Sequence, residues 1–260
     1  MNGRLAEKIR RGEPTVGNWI SLSDPDVVEM IAEVGYDFHT IDMEHSAITL
    51  DAIPDMARAV DAASGGTEAL VRLPENDPVS IKRVLDIGIS GVVVPMVETP
   101  EEARRAVDAT RYPPAGNRGV GPLRASRYGL EYGEYIETAD ERVLTIVQIE
   151  SRTGLENVEE IAAVDGLDGL FVGPDDLSKD LGLFDRQDGP EMMTAVDRVV
   201  DTAHEADLAA GSLVTAPEDI ERYVEAGMDF LNVGWDVGYV LDGASKHKAA
   251  FDRAVRDRDG

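Results

Sequence analysis

The sequence has no cysteine, and only five of its 260 residues are lysine. Without cysteine there are no disulfide bonds and no thiolate ligands, so any metal must bind through carboxylate, imidazole, carbonyl or water. No segment approaches the ~20 consecutive apolar residues that cross a bilayer. The N-terminal stretch MNGRLAEKIRRGEP is charged and lacks the apolar core of a signal peptide, so we expect a cytoplasmic chain that does not enter membranes.

Basic residues are also scarce, because 51 acidic residues stand against only 25 lysines and arginines and the formal net charge is −26. The acids are spread through amphipathic segments instead of forming a tail, which argues against disorder. A surface this acidic repels nucleic acid and anionic membranes, so we expect neither as a partner. One hypothesis is a halophilic host with a salt-rich cytoplasm, where cations screen the self-repulsion; an ordinary acidic protein is the alternative.

Segments typical of strands and of helices alternate along the whole chain. The predicted strands span residues 16–21, 38–44, 69–73, 91–97, 144–150, 169–172, 209–214 and 230–234. Helical patterns between them include residues 26–34, 81–87, 101–110, 158–164, 191–204 and 217–226. Eight such repeats in about 250 residues match a closed (β/α)8 TIM barrel, whereas a doubly wound open sheet usually has fewer strands. No proline- or serine-rich linker divides the chain, so we predict one α/β domain over residues 1–260.

The longest irregular segment covers residues 111–129, RYPPAGNRGVGPLRASRYG. Arg118, Arg124 and Arg127 stand there among glycines and a Pro-Pro pair, which favours an ordered loop that faces an anion; a solvated loop is the alternative. The GNRGVG within it follows a helix and a turn, whereas a dinucleotide-binding motif follows a strand and opens a helix. We therefore predict no dinucleotide site in this segment.

Polar and ionisable side chains collect where the predicted strands end, which is where a barrel carries its reactive groups. In chain order they are Asp42, Glu44, His45, Arg72, Gln148, Glu150, Asp175, Asp176 and Asp236. Residues two apart on a strand share a face, so Asp42 lies with Glu44, and Gln148 lies with Glu150. Both pairs are expected at the barrel mouth, because charges inside the helix-covered layer are harder to satisfy.

Carboxylates that converge on one mouth repel one another unless a cation lies among them. We predict a divalent cation bound by Glu150 and by Asp175 or Asp176, with Arg72 as a fixed positive group beside it. An all-oxygen ligand set favours Mg²⁺ or Mn²⁺ over zinc. The alternative is that these acids cap helices, and it applies best to the two aspartates of GPDDLS.

The four histidines occupy different kinds of position. His45 follows a strand and stands beside acids, where it can transfer a proton near neutral pH; a turn-capping histidine is the alternative. His39 lies within a strand and is expected to be packed inside. His204 and His247 are expected at the surface.

Taken in order, GNWIS, DFHTIDMEHS, VRLP, IKRVLDIGISGVVVPMVETPEEAR, RYPPAGNRGVG, VQIES and GLFVGPDDLS resemble the HpcH/HpaI family of class II, metal-dependent 2-keto-3-deoxy acid aldolases. The resemblance runs over residues 17–236. It implies a (β/α)8 barrel, commonly a homo-hexamer with an exchanged C-terminal helix, which cleaves a 4-hydroxy-2-oxo acid into pyruvate and an aldehyde. The implied cofactor is a divalent cation, Mg²⁺ or Mn²⁺, with Co²⁺ also accepted. The identity of the aldehyde half stays open.

The resemblance also implies roles for individual residues. The implied metal ligands are Glu150 and Asp176, and the implied catalytic residues are His45 as base, Asp86 as its polarising partner, and Arg72. The bound keto acid would be contacted by Arg72, Gln148, Asp176 and the backbone around Gly173, Pro174 and Asp175. One position departs from the pattern, because the family often has alanine where this chain has Asp175.

Asp86 falls at the end of a predicted helix, which in a barrel lies near the floor and far from His45 at the mouth. We therefore hypothesise that Asp86 reaches His45 across a subunit interface. A Schiff-base aldolase would need a lysine that projects into the barrel, and none of the five lysines lies on a predicted strand.

Two other functions are open at this point. One is an acyl-CoA lyase of the citrate or malyl-CoA lyase type, for which Arg118 and Arg124 are the evident basic contacts. The other is a non-catalytic barrel that binds a keto acid. Metal-dependent release of pyruvate distinguishes an aldolase from both.

Overall fold

Eight parallel strands form the centre of the chain, and a computed structural model describes residues 3–187 and 189–259. The strands are β1 (Thr15–Ile20), β2 (Phe38–Asp42), β3 (Glu68–Arg72), β4 (Gly91–Val94), β5 (Leu144–Ile149), β6 (Gly169–Val172), β7 (Ala209–Val214) and β8 (Phe230–Trp235). Each strand pairs with its neighbours in sequence, and β8 pairs with β1 to close the barrel. The predicted (β/α)8 barrel and its eight strands are confirmed, and closure excludes the open doubly wound sheet. Residues 1, 2, 188 and 260 of the predicted domain lie outside the described residues.

The described helices alternate with the strands. They are α1 (Arg4–Arg10), α2 (Pro25–Ala32), α3 (Ile53–Ala62), α4 (Pro78–Asp86), α5 (Pro100–Thr110), α6 (Tyr132–Arg142), α7 (Arg152–Glu156), α8 (Val158–Ala162), α9 (Pro174–Asp180), α10 (Pro190–Glu205), α11 (Ile220–Glu225) and α12 (Asp236–Asp259). The six predicted helices correspond to α2, α4, α5, α8, α10 and α11. Asp24, Asp77 and Thr99 cap α2, α4 and α5, each followed by a proline suited to the first helical position. Lys179 lies in α9, so it is not on a strand, as predicted.

Alternate residues of each strand point into the barrel, where large apolar side chains fill its lower part. Phe38, Phe171 and Phe230 belong to this inner cluster, whereas the outward residues pack against the helices in a second, larger cluster. The rings of Phe38 and Phe230 lie where a Cβ on Gly17 and on Gly211 would stand. These two strand positions therefore need glycine, because any side chain there would collide with a ring.

Helix α1 closes the floor of the barrel. Its residues Leu5, Ala6 and Ile9 are buried and belong to the inner cluster. The carboxylate of Glu68, at the start of β3, accepts hydrogen bonds from the Leu5 amide at 2.9 Å and from the Ser90 hydroxyl at 2.6 Å. The buried charge is thus used to attach α1 to the strands.

Arginines hold the segment 111–129 in place. The prediction of a loop that faces an anion is wrong for two of them, Arg118 and Arg124. Arg118 is only 2% exposed; it donates to Asp86 Oδ1 at 3.0 Å and lies 4.6 Å from the centre of the Tyr112 ring. Arg124 donates to the Ile87 carbonyl at 2.8 Å and contacts Asp61. The charge of both arginines is already balanced within the chain, because the segment folds back onto α3 and α4.

Helix α12 is the longest helix and lies largely exposed beyond the barrel. Its apolar residues Tyr239, Val240, Leu241 and Phe251 face solvent in the single chain. The predicted exchange of this helix between subunits stays a prediction. None of the described helices is both long enough and apolar enough to cross a membrane.

Candidate active site

A pocket of about 480 Å³ opens at the C-terminal ends of the strands. Residues at the ends of seven of the eight strands line it, from Trp19 on β1 to Trp235 on β8. Its predicted site residues are His45, Arg72, Gln148, Gly173, Pro174, Asp175 and Asp176. This mouth pocket is where the barrel architecture places reactive groups.

Arg72 is the fixed cation of the mouth pocket. Its Nε donates to Asp42 Oδ1 at 2.9 Å and its Nη2 to Asp42 Oδ2 at 2.8 Å, while Nη1 lies 3.0 Å from Glu44 Oε2. The guanidinium carbon lies 4.7 Å from the ring centre of Trp19. Asp42 and Glu44 both point to the mouth, as predicted, and both hold Arg72.

The two acids respond differently to their surroundings. Burial alone would raise the pKa of Asp42, but the hydrogen bonds and charge of Arg72 outweigh it and lower the pKa below its usual range. Burial raises the pKa of Glu44, and Arg72 and His45 oppose that shift, while Asp42 and Asp176 add to it. The negative charge of Glu44 is thus less fully compensated by nearby cations than that of Asp42.

His45 lies between two carboxylates at the rim. Its Nε2 is 4.0 Å from Glu44 Oε2 and 3.9 Å from Asp176 Oδ2, and its side chain is 63% exposed. This exposure leaves a ring nitrogen within reach of a substrate. The other predictions for histidine agree with the structure: His39 is buried, and His204 and His247 are at the surface.

Glu150 is buried at the end of β5. Its Oε1 accepts a hydrogen bond from the Met96 amide at 2.6 Å, and its Oε2 accepts one from Gln148 Nε2. Burial raises the pKa of Glu150 to about 7; the Met96 amide opposes this shift, and the charges of Glu44 and Asp176 add to it. Gln148 Oε1 is buried without a partner, and Gln148 lines the mouth pocket, so this oxygen can receive a hydrogen bond from a ligand.

Gly173 keeps the approach to Glu150 open. A Cβ at this position would stand 2.6 Å from Gln148 Nε2 and 2.7 Å from Glu150 Oε2. Any other residue would therefore fill the space into which these two side chains point. The Gly173 amide donates to the Ile149 carbonyl at 3.1 Å, and Pro174 has no N–H, so neither can hold a substrate carboxylate through its amide.

The start of α9 separates the roles of the two aspartates. The Asp176 carboxylate faces His45, and its charge raises the pKa of Glu150. Asp175 Oδ1 accepts a hydrogen bond from Gln187 Nε2 at 3.0 Å. The geometry supports Asp176 as the partner of Glu150, and the first-turn amides of Asp175 and Asp176 stay available to an anion.

Four predicted residues are absent from the lining of the mouth pocket: Glu44 and Glu150, which contact the lining residues Arg72 and Gln148, and Asp86 and Asp236, which lie elsewhere. Asp86 lies at the end of α4, where Arg118 binds it, and it has no contact with His45 of the same chain among the described residues. Asp236 is buried and accepts hydrogen bonds from the amides of Ser21 and Leu22, so it joins β8 to the end of β1.

Two residues of the site were not singled out from the sequence. Trp19 supports the Arg72 guanidinium, and its Nε1 donates to Asp42 Oδ2 at 3.4 Å. Met96 has a φ of 52°, a left-handed conformation that is rare outside glycine, and in it the amide donates to Glu150. The polar surroundings of a strand-end tryptophan were a usable signal for Trp19; nothing in the sequence marks Met96.

The donor set fits a divalent cation. Glu150 and Asp176 offer only oxygen ligands. Burial is the main cause of the raised pKa of Glu150, and the charges of Glu44 and Asp176, which a nearby cation would offset, add to it. Within residues 3–187 and 189–259 there is no cluster of three or more His, Asp or Glu side chains that could hold a metal. The protein therefore supplies two carboxylates at most, and water or substrate must complete the shell, as is usual for Mg²⁺.

Comparisons with known proteins point to one family. Residues 15–243 match the family described as HpcH/HpaI aldolase/citrate lyase. The chain is 38% identical to a 4-hydroxy-2-oxo-heptane-1,7-dioate aldolase of Klebsiella pneumoniae over 253 residues, which are 96% of this chain and 94% of the relative. A crystal structure of an HpcH/HpaI aldolase/citrate lyase family protein from Burkholderia cenocepacia superposes with a TM-score of 0.92 at 36% identity, covering 96% of this chain and 100% of that one. For an HpcH/HpaI aldolase from Desulfitobacterium hafniense the TM-score is 0.87 at 30% identity, with 95% and 96% covered.

Proposed function

Because the chain belongs to the HpcH/HpaI aldolase/citrate lyase family, we propose that its mouth pocket carries out carbon–carbon bond cleavage with the residues described above. The chain is an aldolase that cleaves a 4-hydroxy-2-oxo acid into pyruvate and an aldehyde by a retro-aldol reaction. The substrate is a 2-keto-3-deoxy sugar acid or a related acid. The observation that carries the assignment is that Arg72, Gln148 and Asp176 line one pocket, which Glu150 borders through its hydrogen bond from Gln148.

A divalent cation, Mg²⁺ or Mn²⁺, would be held by Glu150 and Asp176. When bound, it supplies a Lewis acid that stabilises the negative charge which develops on the 2-oxo oxygen as the bond breaks. Arg72 adds a fixed positive charge to the same region, and its fork is held rigid by Asp42. The amides of Asp175 and Asp176 orient the carboxylate of the keto acid, while Gln148 Oε1, an acceptor, can receive a hydrogen bond from a hydroxyl group of the substrate.

His45 acts as the base. Neutral imidazole takes the proton of the C4 hydroxyl as the C3–C4 bond breaks, so that the C4 carbon becomes the aldehyde carbonyl and the C3 carbon keeps the electron pair. The nearby carboxylates of Glu44 and Asp176 stabilise the imidazolium that results. Asp42 is unsuited to this task, because both of its oxygens are bonded to Arg72.

Asp86 serves His45 of a neighbouring subunit in this proposal. Its Oδ1 is bound by the buried Arg118, and its side chain still has an exposed edge, which is the condition for contact with another copy. The exposed apolar face of α12 supports assembly into a homo-oligomer, which we propose is a hexamer.

No lysine lines the mouth pocket, so the residues present do not support Schiff-base chemistry. The acyl-CoA lyase alternative is also disfavoured, because both of its basic contacts, Arg118 and Arg124, are occupied by acids of the chain itself. The non-catalytic barrel is disfavoured by the family's activity.

The test is release of pyruvate from 2-keto-3-deoxy acids, followed through a coupled lactate dehydrogenase assay. We expect turnover that EDTA abolishes and that Mg²⁺ or Mn²⁺ restores. The Glu150→Gln variant should stay inactive at every metal concentration. Its circular dichroism spectrum should match that of the parent chain, which shows that it is folded. Pyruvate release that persists in EDTA would overturn the proposal.

A further inference from the structure

Arg118 is enclosed by the chain, and no part of its side chain is exposed. Its Nη2 donates to Asp86 Oδ1 at 3.0 Å and to the Tyr135 hydroxyl at 3.2 Å, and its guanidinium carbon lies 4.6 Å from the ring centre of Tyr112. Its Nε and Nη1 are buried and have no hydrogen-bond partner among the described residues. A buried ion pair that leaves donors unsatisfied adds little to stability, so an apolar side chain of similar volume would fill this space equally well. The charge of Arg118 therefore indicates a role beyond packing.

Asp86 also stands against the preference of its own helix. It is the last residue of α4, and the dipole of a helix disfavours a carboxylate at the C-terminal end. Its side chain is only 10% exposed, so water does little to offset this cost. Stability alone would favour a neutral or basic residue here, and the carboxylate therefore indicates a functional role.

Arg118 binds only one oxygen of the Asp86 carboxylate. Oδ1 accepts the hydrogen bond, whereas Oδ2 accepts none from the side chains and amides of the described residues. Gly121 is the residue next to Oδ2, because a Cβ on Gly121 would stand 3.8 Å from it. Since glycine has no side chain, it leaves Oδ2 open to a group that belongs to another chain.

The loop that carries Arg118 and Gly121 has apolar side chains that the single chain leaves uncovered. Four of them are each more than half exposed, namely Val120, Leu123, Tyr128 and Leu130. Exposed apolar surface of this kind is typical of a face that meets another protein. A second copy of this chain, docked on this loop, would bring its own groups close to Oδ2 of Asp86.

We infer that Arg118 is a positioning residue for the proposed reaction. It binds Oδ1 of Asp86, so that the plane of the carboxylate is fixed and Oδ2 is presented to His45 of a neighbouring subunit. The inference rests on the proposed function, in which Asp86 serves His45 of another copy. Arg118 contacts neither the substrate nor the cation and acts only through Asp86 of its own chain.

The first test separates turnover from substrate binding. Arg118→Met should lower kcat for pyruvate release by about a hundredfold and leave KM within about twofold, because a displaced carboxylate no longer orients the base. Arg118→Lys keeps a cation beside Asp86 and should recover about tenfold of that loss. Arg124→Met is the matched control, since Arg124 lies in the same loop and donates to the Ile87 carbonyl next to Asp86. Its kcat and KM should equal those of the parent chain.

The second test asks whether Arg118 acts through Asp86 alone. Chains with Arg118→Met are unfolded and refolded together with His45→Ala chains, and in a separate sample with Asp86→Ala chains. The first mixture should regain activity, because some interfaces pair an intact His45 with an Asp86 that Arg118 holds. The second should regain none, because no interface contains such an Asp86. Arg118→Gln replaces Arg118→Met in both mixtures if the methionine variant does not refold.

A mixture of His45→Ala with Asp86→Ala supplies the reference for these outcomes. Recovery in this reference without recovery in the mixture of His45→Ala with Arg118→Met overturns the inference and leaves the proposed function standing. Normal kcat in folded Arg118→Met does the same. Recovery in neither mixture refutes the shared site and this inference with it, while the aldolase activity stands on pyruvate release by the parent chain. A parent chain that releases no pyruvate with Mg²⁺ or Mn²⁺ overturns the proposed function itself.

Discussion

Arg72 and Asp42 form a two-point ion pair in which Nε and Nη2 each donate to a different oxygen, at 2.9 and 2.8 Å. Both side chains are almost completely buried, and Trp19 supports the guanidinium from one side. The pair fixes the plane of the guanidinium before any substrate arrives. A charge that needs no reorientation is the kind that stabilises a transition state most effectively.

Arg72→Lys keeps the charge but loses the fork, so we expect kcat to fall by about a hundredfold. Arg72→Ala should lower kcat by about a thousandfold or more and also destabilise the fold, because it leaves Asp42 buried without a partner. The measurement is steady-state kinetics together with thermal unfolding. The double variant Asp42→Asn/Arg72→Met is the control: it should recover much of the stability and none of the activity. Normal kcat in Arg72→Ala would refute the assigned role.

Metal affinity should rise steeply with pH through the range in which Glu150 ionises. The pKa of Glu150 in the folded, metal-free chain is raised to about 7, above its ordinary value of 4.5. As pH rises from about 4.5 to about 7, the folded state therefore retains a proton that the unfolded state has lost, and this carboxyl makes a growing unfavourable contribution to stability. A divalent cation must displace that proton, so its affinity should increase up to about tenfold per pH unit in this window.

Isothermal titration calorimetry of Mn²⁺ binding near pH 5.5, 6.5 and 7.5 checks this, with buffers of different ionisation enthalpy to count released protons. We expect release of about one proton at the lowest of these pH values and progressively less above pH 7. Glu150→Gln should bind the metal weakly and with little pH dependence. Affinity that is constant over the range would contradict the assignment of Glu150 as a ligand.

His45 and Asp86 give a test of the oligomer. His45→Ala and Asp86→Ala should each lower kcat by about a hundredfold or more. If Asp86 acts on a neighbour, unfolding and refolding the two variants together should restore part of the activity, because some interfaces then pair an intact His45 with an intact Asp86. Mixed oligomers no more active than either variant, or full activity in a folded monomer, would exclude the shared site.

Gly173→Ala should reduce both metal affinity and kcat, because its Cβ meets Gln148 Nε2 and Glu150 Oε2 at 2.6 and 2.7 Å. Displacing either side chain moves a group that holds the cation or the keto acid. Gly243→Ala in α12 is the matched control, because nothing lies within 4 Å of the added Cβ. That change should stabilise the chain by roughly 0.5–1 kcal/mol through higher helix propensity and leave kcat unaltered.

Added KCl should stabilise the fold. With a net charge of −26, the folded chain repels itself, and the repulsion weakens as the Debye length falls from about 10 Å at 0.1 M to about 3 Å at 1 M. The melting temperature should therefore rise over this range, and an equal ionic strength of NaCl should reproduce much of the rise. A melting temperature independent of KCl would count against a salt-adapted host.

The architecture followed from the sequence because the signals for it are local. The strands Gly169–Val172 and Ala209–Val214 have the predicted bounds, since short apolar runs between turns leave little freedom of assignment. The residues of the mouth could be predicted for a related reason. A closed parallel barrel brings all strand ends to one face, so Arg72, Gln148 and Glu150 had to meet there.

The partners of those residues were harder to foresee. Nothing local indicates that Asp42 would hold Arg72 while Glu150 would be held by the Met96 amide, because these contacts join different strands. Arg118 was misread for the same reason. An arginine among glycines and prolines is typical of an exposed loop, and its burial against Asp86 depends on how 111–129 folds back over the helices.

The floor that α1 closes determines how substrate and products reach and leave the active site. Because Leu5, Ala6 and Ile9 fill that end, molecules enter and leave by the same opening at the C-terminal ends of the strands. In the proposed reaction both products therefore leave by the opening through which the substrate enters.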